Sequence, residues 1–139
     1  MDEATGVHDR RPMERLRRWW MSAGAGRPID LTAALVLATW GVLLLYPLDT
    51  FGSPAYAAFT LFGLSEAAWG VVFLLVASMI SGGLATGRRR VRIMGLIGAA
   101  ALFGFIATLL ALGNPAGLGW AGNAGYVVLC LFALRRVEW

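Results

Sequence analysis

Four apolar runs without a charged residue most strongly constrain how this chain can fold. They cover residues 31–48, 67–86, 93–113 and 117–134. Each run is roughly 18–21 residues long, close to the ~20 residues that a helix needs to cross a ~30 Å hydrocarbon core. None shows strand-like alternation, and in lipid only helices and closed barrels satisfy every backbone hydrogen bond. The runs therefore predict an all-α integral membrane protein, a four-helix bundle of up-down-up-down topology.

The overall composition agrees with a membrane protein. Of the 139 residues, 58% are hydrophobic and 14% are charged. A soluble domain of this size cannot bury so much apolar surface, so we expect lipid to surround most of the chain. There is a single cysteine, Cys130, and an intramolecular disulfide is therefore excluded.

Residues at the ends of the runs predict where the helices begin and end. Asp30 precedes the first run and is predicted to cap its N-terminus. Ser65 is predicted to cap the second helix, with Glu66 in the first turn, where the helix dipole favours an acid. Gly87 is a predicted C-terminal stop, and Gly113 to Pro115 predict a tight turn between the third and fourth helices.

The arginines predict the orientation in the membrane. All twelve basic residues are arginine. Six precede the first run, four lie between the second and third, and two follow the fourth, whereas the two remaining loops have none. By the positive-inside rule, both termini are predicted to be cytoplasmic, in a multi-pass protein of the bacterial inner (cytoplasmic) membrane. We divide the chain into a basic tail, residues 1–29, and a four-span domain, residues 30–139.

The segment "RPMERLRRWWM" predicts a short amphipathic helix over residues 12–21. At helical spacing its apolar residues share one face and its charged residues the opposite face, as in helices that lie on anionic membranes. A solvated tail with a chance pattern is the alternative. Residues predicted to contact the membrane surface are Arg15, Arg17, Arg18, Trp19, Trp20, Arg88, Arg89, Arg90 and Arg92.

The loop "YPLDTFGSPAYAAF", residues 46–59, is predicted to lie on the outer side of the membrane. It contains four aromatic residues and no basic residue. One interpretation is that its aromatic side chains fold back at headgroup depth. The other is a surface that binds a membrane or periplasmic protein. The predicted exposed-loop residues are Tyr46, Pro47, Asp49, Phe51 and Tyr56.

Small residues recur at four-residue spacing on every predicted helix, which allows helix backbones to approach closely. Such faces either pack the four helices of one chain together or join several copies into a homo-oligomer. The residues predicted to mediate helix packing are Gly82, Gly95, Ala99, Gly104 and Gly125.

Motifs for catalysis, cofactor binding and metal ligation are missing from the sequence. We therefore predict neither enzyme activity nor a cofactor, and we expect anionic lipid rather than nucleic acid as a partner. The four runs also contain no Asp, Glu, Lys, Arg or His, which disfavours an ion-coupled transporter. Small multidrug-resistance exporters, for example, depend on a glutamate in their first helix, where this chain offers Thr32, Thr39 and Trp40.

Several short motifs follow one another along the hydrophobic part of the chain. They are "TWGVLLLYPLDTF" at 39–51, "AYAAF" at 55–59, "AWG" at 68–70, an arginine-rich turn, and "GYVVLCLFALRR" at 125–136. This order resembles a family of small four-helix membrane proteins of tailed bacteriophages and prophages, often described as holin-like.

The resemblance implies a protein that oligomerises in the inner membrane into a lesion. One alternative is a non-catalytic accessory subunit that anchors a partner or excludes superinfecting phage. A small channel or transporter is the third.

The predicted orientation can be tested by cysteine labelling. In a Cys130→Ala background, Ser53→Cys should react with a membrane-impermeant thiol reagent in intact cells, because residue 53 lies in a loop without arginine. Thr5→Cys should react only after permeabilisation. Labelling of residue 5 but not residue 53 in intact cells would reverse the orientation.

Overall fold

The computed structural model describes residues 26–46, 56, 59 and 63–138. Four α-helices lie within these residues: α1 Gly26–Leu45, α2 Glu66–Thr86, α3 Arg89–Gly113 and α4 Gly119–Glu138. The prediction of an all-helical chain with four long helices is thus confirmed for this part of the molecule. The amphipathic helix predicted over residues 12–21 lies outside it.

The predicted ends of α2 are confirmed. The side-chain oxygen of Ser65 accepts a hydrogen bond from the backbone N–H of Ala68 at 3.2 Å, and Glu66 lies in the first turn. Gly87 ends the helix in the left-handed conformation, with φ 67°. Glycine adopts this φ without the steric cost that a Cβ would bring.

The predicted start of the first helix is wrong. α1 begins at Gly26, so Asp30 lies inside the helix and does not cap it. Pro28 falls in the first turn, where a missing N–H breaks no intrahelical hydrogen bond, and the helix can therefore start upstream of Asp30. α3 likewise begins earlier than predicted, at Arg89, and its first turn includes arginines.

Three of the helices are long and apolar enough to cross a membrane: Arg27–Leu45, Glu66–Thr86 and Arg89–Gly113. α4 is not among them because its composition is less apolar. It begins at Gly119 rather than at residue 117, so Leu118 precedes it, and Arg135 and Arg136 lie in its last turn.

Neighbouring helices pack on one another along the chain, and α4 packs back against α1. One continuous core runs through all four helices. Its largest fully buried apolar side chains are Leu37, Phe73, Ile80, Leu96, Phe103 and Cys130. The outer surface is also apolar on every helix, with exposed side chains such as Leu35, Leu75, Ile97 and Leu131. An exterior of this kind suits lipid rather than water.

Glycines bring the helix backbones close together at two interfaces. A Cβ on Gly41 of α1 would lie 3.0 Å from the carbonyl oxygen of Gly70 of α2. A Cβ on Gly95 of α3 would lie 2.8 Å from the backbone nitrogen of Ile80. Both distances are shorter than ordinary contacts, so the α1–α2 and α2–α3 interfaces both require the absence of a side chain at these glycines.

The other predicted packing residues have different surroundings. Ala99 is fully buried, and its small side chain lies in the core. A Cβ on Gly104 would meet Val127 at 3.7 Å, an ordinary contact. Among the described residues, nothing lies within 4 Å of a Cβ on Gly82 or Gly125.

The α2–α3 interface gives a matched pair of substitutions. Gly95→Ala should destabilise the protein by about 1–3 kcal/mol, because the added methyl group overlaps the backbone of Ile80. Gly82→Ala should be neutral or stabilising by up to about 1 kcal/mol, because its methyl group meets open space and alanine favours helix. Thermal unfolding in detergent compares the two. Equal effects would contradict the close α2–α3 contact.

Candidate functional site

The arginine-bearing helix ends meet at one end of the molecule. Arg92, near the start of α3, contacts Asp30 near the start of α1. Its backbone nitrogen would lie 2.6 Å from a Cβ on Gly83, near the end of α2. α4 runs antiparallel to α3, since Gly104 faces Val127 and Gly119 faces Leu110, so its last turn lies at this end too. We call it the basic end; its arginines are Arg27, Arg88, Arg89, Arg90, Arg92, Arg135 and Arg136.

A buried ion pair lies at the basic end. The Nε–H of Arg92 donates a hydrogen bond to Oδ2 of Asp30, with the two atoms 2.5 Å apart. The Asp30 side chain is fully buried and that of Arg92 is 19% exposed. Arg27 is close enough to act electrostatically on the same carboxylate. Arg92 therefore compensates a charge that would otherwise be costly to bury.

Only one of the two carboxylate oxygens is satisfied. Within the part of the chain that the structure describes, Oδ1 of Asp30 is buried and has no hydrogen-bond partner. A buried carboxylate oxygen without a donor weakens an ion pair, because its lost hydration is not replaced.

These positions change two inferences drawn from the sequence. The candidate spans begin upstream of the predicted runs and therefore include charged residues near their starts: Arg27–Leu45 includes Asp30, and Arg89–Gly113 includes Arg92. The arginines predicted to contact the membrane surface divide into two groups. Arg88, Arg89 and Arg90 are exposed, whereas Arg92 is half-buried against Asp30. Arg15, Arg17, Arg18, Trp19 and Trp20 lie outside the described residues.

The opposite end of the molecule is filled by aromatic rings. Phe59 is only 4% exposed, and its ring lies 5.8 Å from that of Trp69 in a T-shaped arrangement. Trp69 in turn stacks on Phe105 at 5.4 Å. Tyr56 joins this group by edge contact with Trp40 at 6.1 Å. Tyr56 and Phe59, the described residues between Tyr46 and Gly63, therefore pack against α1, α2 and α3 at this end.

The loop residues predicted to be exposed differ in how much of each side chain is accessible. Tyr46 is 64% exposed. Tyr56 is half-buried, because its ring packs between those of Trp40 and Phe59. The predicted positions Pro47, Asp49 and Phe51 lie outside the described residues.

One face of α4 is open. Its residues follow helical spacing and are all exposed: Ala121, Gly122, Gly125, Val128, Leu129 and Phe132. We call them the α4 outer face. Its first half is nearly flat, because Gly122 and Gly125 have no side chains and nothing described lies within 4 Å of a Cβ on either. Asn123 uses its side-chain N–H within the helix, donating to the carbonyl oxygen of Gly119 at 2.9 Å.

No protein-family model matches the chain, and no match was found among curated proteins or solved structures. The likeness to phage membrane proteins consequently rests on the short sequence motifs alone. Among the described residues, no group of three or more His, Cys, Asp and Glu could hold a metal ion.

Sequence reasoning missed the Asp30–Arg92 pair and the glycines Gly41, Gly70 and Gly83. The only sequence signal for the pair was the presence of an acid and an arginine at the same predicted membrane surface. The glycines lie in helices that are apolar on all sides, where spacing alone does not select a face.

A double-mutant cycle measures the ion pair. Asp30→Asn and Arg92→Gln should each lower the free energy of unfolding by about 3–5 kcal/mol, because each leaves a buried partner uncompensated. The double mutant should lose less than the sum, by about 0.5–3 kcal/mol. Arg89→Gln, an exposed arginine of the same turn, should stay within about 0.5 kcal/mol of the wild type. Strict additivity in detergent unfolding would refute the coupling.

Proposed function

We propose that the chain is a multi-pass protein of the bacterial inner membrane whose four helices form an up-down-up-down bundle. Three helices have the length and hydropathy of spans. α4 supports a fourth crossing because it packs alongside α3 and α1 and turns apolar side chains outward. Together the exposed apolar residues on all four helices form the surface that contacts lipid.

Both termini of this bundle lie in the cytoplasm. The support is the basic end, which collects every arginine of the described residues on one side of the molecule. Arginine side chains at this level pair with the phosphates of anionic headgroups in the inner leaflet. The aromatic end then faces outward, with Tyr46 exposed at that interface.

Self-association through α4 follows from its open face, and this single observation carries the functional proposal. In lipid, flat small-residue faces are where helices associate, because close backbone approach gains van der Waals contact. α4 is also the least apolar of the four helices, so it gains more than the others when protein replaces lipid around it. Copies of the chain assemble through the α4 outer face.

The function that suits such assembly is holin-like. A holin needs no catalytic residue; it accumulates in the inner membrane, oligomerises and opens a lesion. The resemblance of the short sequence motifs to small membrane proteins of tailed phages points the same way. The proposal therefore joins a sequence resemblance to an exposed association surface.

A non-catalytic accessory subunit is the second candidate. The α4 outer face would receive a helix of another membrane protein as well as a second copy of this chain. The same protein would then anchor a partner, or exclude superinfecting phage, without forming a lesion.

Expression in bacteria separates the two functions. The wild-type chain should form cross-linkable oligomers and collapse the membrane potential abruptly. Gly125→Leu should reduce both effects, because the larger side chain holds α4 helices apart. Leu75→Ala, on the exposed surface of α2, is the matched control and should behave as the wild type. Intact potential and growth at high expression would refute the holin-like function and leave the accessory subunit.

A further inference from the structure

We infer that the Asp30–Arg92 pair is a latch that holds α1 against α3 and opens when the helices rearrange during assembly. This inference rests on the proposed function, because assembly is what the latch would control. The ion pair would thus control the change from a chain in which α1 is held against α3 to a chain that associates with other copies.

The ion pair is the main contact between α1 and α3 among the described residues, because the two helices have few other contacts. α1 packs on α2 and α4, whereas its contacts with α3 are few. Asp30 and Arg92 are 62 positions apart in sequence and join the starts of α1 and α3 directly. Loss of the pair therefore frees the start of α1 from α3 while the main helix interfaces stay in place.

The ion pair also lacks part of the hydrogen bonding and burial that stabilise a buried salt bridge. Oδ1 of Asp30 is buried without a hydrogen-bond partner among the described residues, so opening the site would allow water to reach it. Arg92 is 19% exposed and sits beside the exposed Arg88, Arg89 and Arg90. Its long side chain can turn toward a headgroup phosphate when Asp30 moves away.

The backbone of Arg92 stays in place during this change. Gly83 allows the backbone nitrogen of Arg92 to approach α2 so closely that a Cβ would come within 2.6 Å. Gly95 and Ile80 fix the same interface farther along α3. Opening therefore moves the start of α1 rather than α3.

Spin-label distances test the latch without reference to function. Labels at Leu31→Cys and Arg90→Cys, both exposed positions, report the separation of α1 and α3 in a Cys130→Ala background. In lipid nanodiscs, Asp30→Asn should broaden the distance distribution toward longer values. Exchanging the two charges, Asp30→Arg with Arg92→Asp, should restore a narrow distribution. Arg89→Gln should leave it unchanged.

The distances can also contradict the latch. Identical distributions for the wild type and Asp30→Asn would overturn it, provided that circular dichroism shows equal helix content. A broad distribution after charge exchange would overturn it as well, because the interaction would then not depend on the ion pair.

Lysis timing tests the link to assembly. Asp30→Asn and Arg92→Gln should each collapse the membrane potential earlier than the wild type at equal membrane levels, and charge exchange should restore the delay. Unchanged or later timing in both single mutants would overturn the latch as a control of assembly. If the wild type forms no lesion at any level, the holin-like function fails, and the spin-label distances still decide whether the pair holds α1 to α3.

Discussion

The rest of this structure depends on how closely the α2 and α3 backbones approach. In lipid, apolar side chains gain little by leaving the solvent, so helix association relies on contact between backbones and on polar ties. Gly83 and Gly95 remove the side chains that would separate the two helices. The position of Arg92, and with it the reach of Arg92 to Asp30, is set by this contact.

Different interactions hold the helices together at the two ends of the molecule. At one end an ion pair joins α1 to α3, and its strength varies with hydration and with competing phosphates. At the other end Phe59 fills the space beside Trp69 and Phe105, a contact that depends on shape and area. Salt and hydration therefore affect the end with the ion pair more than the end with the aromatic rings.

The long helices could be predicted from the sequence because uncharged runs of spanning length have few other solutions. Ser65 and Gly87 were predictable because capping is local chemistry. The position of Asp30 inside α1 was not predictable. The sequence does not distinguish an acid that caps a helix from an acid in its second turn, because Pro28 allows the helix to begin earlier. The burial of Phe59 depends on residues far away in sequence. To predict that Gly83 rather than Gly82 faces α3, one must know how α2 is rotated about its axis. The sequence of a helix that is apolar on all sides does not indicate that rotation.

The connection between α2 and α3 is very short. Only Gly87 and Arg88 separate the two helices, and Gly87 turns the chain back at once. The two longest helices thus form a hairpin whose inner contact is complete before α1 or α4 is needed. In the proposed membrane orientation, this hairpin would insert into the bilayer as one unit with its arginine-rich turn on the cytoplasmic side, and α1 and α4 would then pack against it.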